Sequence, residues 1–293
     1  MAIFSQLTVN GLIAGSIYAL VASGFSLIYA TNTFMHFAHG TSVAVAAYIL
    51  YTLFTLLGIP FYVSAILTVF LTGFFGVAMY RVVYLPMQKR KASNIILLIA
   101  SIAILIMFEN VIMLFFDANV KSLQYIKITQ GLNILGATIT KLQIFIIVFV
   151  IILLLVLYLF MKKTKLGRNM RAVADNKELA SIIGINHIRI SDYSFFLGSS
   201  LAGIAGILIG LEQNLFPNMG TWLMIKGFTG AVIGGITSVP GAILGSYVLG
   251  FFENYAIWFL PSGYKDGIAF FLLFLFLLFR PKGLFGLNKG VKE

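Results

Sequence analysis

Apolar runs of about twenty residues, the length that crosses a bilayer as a helix, recur from one end of the chain to the other. Nine stretches read as spans: residues 8–30, 41–58, 60–84, 94–116, 142–161, 191–212, 225–238, 241–260 and 265–281. ILLIASIAILIMF and LQIFIIVFVIILLLVLYLF are continuously apolar, whereas a membrane strand alternates over about ten residues. The pattern predicts an all-α polytopic membrane helix bundle of about eight or nine segments, with interrupted helices near 31–40 and 225–241. Segment 225–238 is short for about 30 Å of hydrocarbon, so it is expected to tilt inside the bundle or to cross half-way.

Composition agrees with this pattern. Of 293 residues, 60% are hydrophobic and 10% charged, and the mean hydropathy is +1.01. A soluble domain carries about 25% charged residues, so that class is excluded. With no cysteine, neither a disulfide framework nor a thiolate metal site is possible. The polar stretches 117–141 and 162–190 are too short to fold unaided, and one transmembrane domain is expected over 1–293.

The net charge of +11 could suggest nucleic acid, but its placement argues otherwise. Of the 20 Lys and Arg, 15 lie at Arg81–Lys91, Lys162–Arg189 and Arg280–Lys292, each flanking a span. That is the positive-inside distribution. It predicts cytoplasmic loops at 85–93 and 162–190, an external loop at 117–141 and an N-terminus outside. The basic tail is cytoplasmic only if 225–238 counts as a crossing. MAIFSQLTVN has no Lys or Arg, so the first apolar stretch is expected to be a retained span rather than a cleaved signal.

Several positions could carry chemistry. Gly230/Gly234 and Gly241/Gly245 are G-x-x-x-G pairs, which let helices approach closely in lipid; Pro240 marks a break between them. Asn32–Gly40, NTFMHFAHG, is polar and aromatic between two spans. Its His36 and His39 lack an acidic or sulfur ligand nearby, so an irregular turn beside a cavity is preferred over a metal site. Glu109, Glu212, Lys226 and Glu253 are ionisable at membrane depth, where charge is expensive. Arg81 and Lys226 are expected to reach toward the interface, and Glu109–Asn110 and Glu253–Asn254 to face the bundle interior. The insert Thr164–Ile185 carries Arg168, Arg171 and Lys177 with Asp175 and Glu178, a composition suited to docking a soluble partner. There is no G-x-x-x-x-G-K-[ST] loop and no H-E-x-x-H or G-x-S-x-G motif, so the chain is read as a transport component without its own ATPase and not as an enzyme.

Six blocks in order give the chain a likeness over nearly its whole length. They are GLIAGSIYALVASGFSLIY, FAHG (Phe37–Gly40), RVVYLP (Arg81–Pro86), KLGRNMRAVADNKELASIIGI, KGFTGAVIGGITSVPGAILGSYVLG, and YKD with RPKGLFG (Tyr264–Asp266, Arg280–Gly286). Together they resemble the permease subunit of the branched-chain amino acid ABC importers (Liv-type). The resemblance implies a pair of permeases in the inner membrane, two cytosolic ATP-binding subunits, and an extracytoplasmic solute-binding protein. ATP would be bound by those partners, and no cofactor is implied for this chain. Gly167, Arg168, Arg171, Ala172, Asp175 and Gly184 match coupling-loop positions. Phe37, His39, Gly40, Glu109, Gly234 and Gly235 are candidates for the translocation pathway. Family members often have Asn and Glu where this chain has His36 and Thr41, a departure that bears on the solute. Relatives on the same plan carry urea, amides and other small amino-acid-like solutes. The alternative is an autonomous ion-coupled carrier or channel using Glu109, Glu212 or Glu253.

Overall fold

Uncharged throughout, the first stretch forms one long helix, α1 (Ala2–Asn32). The chain turns through 33–38 into α2 (His39–Leu50), which runs on as a π-helical turn, Tyr51–Leu56. Next, α3 (Phe61–Met79) continues through a second π-helical stretch, Tyr80–Tyr84, into α4 (Leu85–Lys89). After the basic loop come α5 (Asn94–Phe116), an antiparallel hairpin of β1 (Leu132–Ile134) and β2 (Ala137–Ile139), and α6 (Lys141–Lys163). The insert folds as two short helices, α7 (Lys165–Asp175) and α8 (Lys177–Ile182). Four more complete the bundle: α9 (His187–Glu212), α10 (Met219–Gly234), α11 (Val239–Ala256) and α12 (Lys265–Phe279). The computed structural model describes residues 2–123, 125, 131–134 and 136–285. Parts of the 117–141 loop and the tail from Gly286 onward therefore lie outside the described residues.

The span count differs from the reading of the sequence. Among the described residues six helical stretches are long and apolar enough to cross a membrane: α1, α2 with its π turn, α3 through α4, α5, α6 and α9. The helices α10 and α11 qualify only as a pair, bent by 114° at the break between them. The count is thus six, or up to seven, by length and composition. The stretches 225–238 and 241–260 belong to that one bent pair, and α10 starts earlier than expected, at Met219. With 15 residues, α12 is only about 22 Å long at 1.5 Å per residue, short of a full hydrocarbon thickness.

The two central helices are α1 and α9, with 83% and 78% of their apolar windows buried, against 28% for α3–α4 and for α5 and 22% for α6. A helix apolar all round with only about a quarter of its window buried needs an apolar solvent, so α3, α5 and α6 form the lipid-facing rim. Around the centre, α1 lies along α11, α10 and α9, while α9 also carries α2 and α3.

Close backbone contact sets the inner packing. A Cβ on Gly234 would collide with the Gly241 carbonyl, and one on Gly245 with Gly230 and Gly234 backbone. Both G-x-x-x-G pairs therefore press on each other across the α10–α11 crossing, as small residues permit in lipid. Gly11 and Gly15 seat α1 on Gly250 of α11, and Gly40 seats α2 on Gly220 of α10. At the break, Gly235 has φ +112, a conformation open to glycine. Ser238 restarts the chain by accepting the Gly241 N–H on its Oγ at 3.2 Å, with Pro in the first turn of α11. The segment after α12 then folds back, and the N–H groups of Leu284 and Phe285 donate to the Ile233 and Gly234 carbonyls, each at 2.9 Å. These are carbonyls that a helix end leaves unpaired.

Replacing Gly245 by Val should therefore lower the unfolding temperature in detergent, since overpacking costs about 1–3 kcal/mol or more. Gly267→Ala in α12, where nothing lies within 4 Å of the added methyl, should leave stability unchanged or slightly raised. Equal melting of both variants would contradict the close-packed crossing.

Candidate functional site

The interruption after α1 is packed rather than loose. Thr33 turns the chain with φ +60. His36 Nδ1 lies 2.9 Å from the Tyr84 hydroxyl, and its ring sits 5.0 Å from that of Phe195. His39 begins α2 against Gly24 of α1, where any side chain would strike the imidazole. Both histidines are fully buried, with ring centroids 6.1 Å apart. Among the described residues no three His, Cys, Asp or Glu are grouped to hold a metal ion.

The expected pathway residues string out along α10. The Phe37 ring meets Phe228 at 5.1 Å, Gly40 abuts Gly220, and Glu109 accepts the Thr221 hydroxyl proton at 2.5 Å. Gly234 and Gly235 form the other end of that helix, about 21 Å along at 1.5 Å per residue. His39 faces α1 instead. None of the six lines either cavity described below. Asn110, expected inside, is exposed and donates to the Ile106 carbonyl at 2.8 Å.

The insert is a rigid double turn. Thr164 Oγ1 accepts the Gly167 N–H at 3.0 Å to start α7, which buries Gly167, Met170 and Val173 on one face. A Cβ on Gly167 would strike the Phe160 carbonyl and the Met161 backbone, so this glycine lets α7 fold back on α6. Asn176 Oδ1 accepts the Glu178 and Leu179 N–H groups, each at 3.0 Å, and so starts α8. Gly184, at φ +85, ends it: its N–H reaches the Ser181 carbonyl and that of Ile185 the Ala180 carbonyl, the bonding of a glycine-closed helix end. Gly167 and Gly184 thus shape the insert, Ala172 is half-buried, and Arg168, Arg171 and Asp175 are exposed. Burial of the Lys177 ammonium pushes its pKa below the usual lysine value. A cavity of about 760 Å³ separates α7, through Met170 and Arg171, from Thr237, Ser238 and Pro240 at the α10–α11 break.

The third feature is a buried ionic cluster. Lys226 of α10 donates to Glu253 of α11 at 2.5 Å and to Asp266 of α12 at 2.7 Å, while the Tyr18 hydroxyl of α1 donates to the other Glu253 oxygen at 3.1 Å. Lys226 therefore does not extend to the interface as expected. The buried Glu253 carboxylate and the half-exposed Asp266 carboxylate compensate its charge, which a buried ammonium requires. Glu253 and Asn254 are buried as expected. Arg81 does reach outward and forms a two-pronged pair with Asp192 at 3.0 and 2.7 Å. Beside Lys226 opens a smaller cavity of about 300 Å³, bounded also by Gln143, Glu212, Asn254 and Lys265.

Residues 7–277 match the family described as branched-chain amino acid transport system / permease component. The chain belongs to this family. It is 35% identical to the high-affinity branched-chain amino acid transport system permease protein BraD of Pseudomonas aeruginosa, over 97% of this chain and 96% of that one. Identity to the LivH permease protein of Escherichia coli is 32%, with the same coverage. Among solved structures it is similar to PsaBC from Streptococcus pneumoniae in complex with Fab, with a TM-score of 0.51 over 93% of this chain and 91% of that one. At 14% identity that likeness speaks for the fold alone.

In this permease, reasoning from charge missed an apolar ridge on the insert. Leu179 and Ile182 of α8 and Ile183 at its C-terminal cap are 59%, 79% and 73% exposed. Their i, i+3, i+4 spacing places them on one face, a signal present in the sequence but masked by the charges around it. The cluster of Lys226 with Glu253 and Asp266 could not be found by spacing, because three different helices bring it together. Lys226→Ala strands the buried Glu253 carboxylate and should destabilise the permease by about 3–5 kcal/mol, read as a lower detergent melting temperature; Lys226→Met with Glu253→Leu should recover part of that loss. A melting temperature untouched by Lys226→Ala would show the cluster to be solvated.

Proposed function

We propose that this chain is the membrane permease of an ABC importer for branched-chain amino acids or related small amino-acid-like solutes in the inner membrane. Two cytosolic ATP-binding subunits dock on the 162–190 insert, a second permease, identical or homologous, completes the channel, and an extracytoplasmic binding protein delivers solute. The observation that carries this reading is the insert itself, a rigid helical turn that holds out apolar Leu179, Ile182 and Ile183 beside exposed Arg168 and Arg171. A bare apolar ridge in a cationic surround suits a soluble protein partner, since interface anchors are apolar at the centre and polar at the rim. The positive-inside distribution supports a cytoplasmic insert and an external N-terminus.

The proposed coupling is mechanical. Because α7 folds back on the end of α6 and packs on α1 and α9, a push on α7 and α8 passes to α1, which lies along α10 and α11. Rigid-body displacement of packed helices is an established mode of switching. Against the ion-coupled alternative, Glu253 is held by Lys226 and Glu109 by Thr221.

Two tests bear on this reading. Arg171→Glu, and separately Ile182→Asp with Ile183→Asp, should reduce co-purification of the ATP-binding subunit and solute-stimulated ATP hydrolysis on the order of tenfold, the loss of one interface anchor. Unchanged values in both variants would refute docking on the insert. In proteoliposomes containing this chain alone, gradient-driven uptake should be absent; its presence would favour the autonomous carrier.

A further inference from the structure

The smaller cavity lies at the end of the bundle remote from the insert. Gln143 stands in the first turn of α6, whose last turn leads into α7, so about 30 Å of helix separates them. Around this cavity stand three charged side chains with different circumstances. Lys226 is fully engaged by Glu253 and Asp266. Glu212 and Lys265 are not: among the described residues neither forms an ion pair, although both border the same space. Glu212 Oε1 accepts from Gln143 Nε2 at 2.8 Å, while Lys265 reaches the Asn254 amide oxygen at 3.4 Å and lies near enough to Glu253 for the two charges to attract.

The Glu212 carboxylate is held in place. Gln143 Oε1 accepts the Thr140 N–H at 3.0 Å while Thr140 Oγ1 accepts the Gln143 N–H at 3.2 Å. This reciprocal cap on α6 commits the amide oxygen and directs the amide nitrogen to Glu212. A half-buried charge left without a counter-charge is costly, and Glu212 is such a charge, with the Lys265 ammonium bordering the same small cavity. The rest of the wall is largely apolar and includes Ile13, Ile17, Phe216 and Leu223. A volume of about 300 Å³ sits at the small end of ligand pockets.

We infer that this cavity is an α-amino acid subsite inside a single permease subunit. The Glu212 carboxylate receives the solute α-ammonium, the Lys265 ammonium receives its α-carboxylate, and the apolar wall takes an aliphatic side chain. The inference rests on the permease reading above and sharpens it: neutral solutes such as urea or amides leave the Glu212 carboxylate unanswered, so the cavity favours zwitterions.

The test uses the full-length chain in lipid nanodiscs with three radiolabelled probes: leucine, leucinamide (no carboxylate) and 4-methylpentanoate (no amine). Wild type should bind leucine on the order of tenfold or more tighter than either analogue, the worth of one charge-assisted contact. Glu212→Gln should weaken leucine and leucinamide and spare 4-methylpentanoate, whereas Lys265→Met should weaken leucine and 4-methylpentanoate and spare leucinamide. Equal binding of all three probes by wild type overturns the subsite, and so does the same response of both analogues in folded variants. Should a variant fail to fold, the wild-type comparison decides alone. ATP-driven leucine import by the complete wild-type assembly separates the two claims. Import without the probe contrast removes the subsite and leaves the permease reading standing; loss of import removes that reading.

Discussion

Lipid gives helices almost no hydrophobic reason to associate, because hydrocarbon solvates leucine as well as another helix does. What remains is contact at short range, and this bundle takes it at its glycines. Where Gly234 and Gly245 meet Gly241 and Gly230, and where Gly40 meets Gly220, backbone rests on backbone. The short helix α10 is the common member of these contacts, touching α1, α2, α11 and α12. It is too short to span and bent 114° from its successor, so its position is set by its neighbours rather than by the membrane. Any displacement of α10 must therefore move those neighbours with it.

Electrostatics reinforces that arrangement. Lys226 joins α10 to α11 and α12 in one step, and Tyr18 adds α1 through Glu253. Pairing at low dielectric is strong only when every member is satisfied, and three of the four ionisable side chains here satisfy one another through a single ammonium. Glu212, a short distance away around the same cavity, stands outside that network. The contrast between a closed set of charges and an open one, within one small volume, distinguishes a structural cluster from a receptive surface.

The fold class and the position of the charged insert were legible from hydropathy and from the placement of Lys and Arg, because membrane insertion acts on the same quantities. The close approach of the two G-x-x-x-G pairs was legible as well. Other features were not. The span count differs because the bent pair reads as two spans when only apolar length is considered, and because α12, with 15 residues, is shorter than the apolar stretch suggests. Lys226 was expected at the interface because its partners Glu253 and Asp266 are far away in sequence. The outward turn of Asn110 depends on helix phase, which a uniformly apolar α5 does not reveal. The ridge of Leu179, Ile182 and Ile183 was visible as spacing and went unread because basic residues dominate the insert.

The return of the chain after α12 bears on how freely the break can work. Leu284 and Phe285 close the Ile233 and Gly234 carbonyls with their own N–H groups, and Gly283 lies so near Gly235 that a side chain would not fit. The hinge between α10 and α11 is thus latched by the last segment before the tail. Straightening it would have to release two main-chain bonds, so the segment after α12 sets the stiffness of a joint some fifty residues upstream.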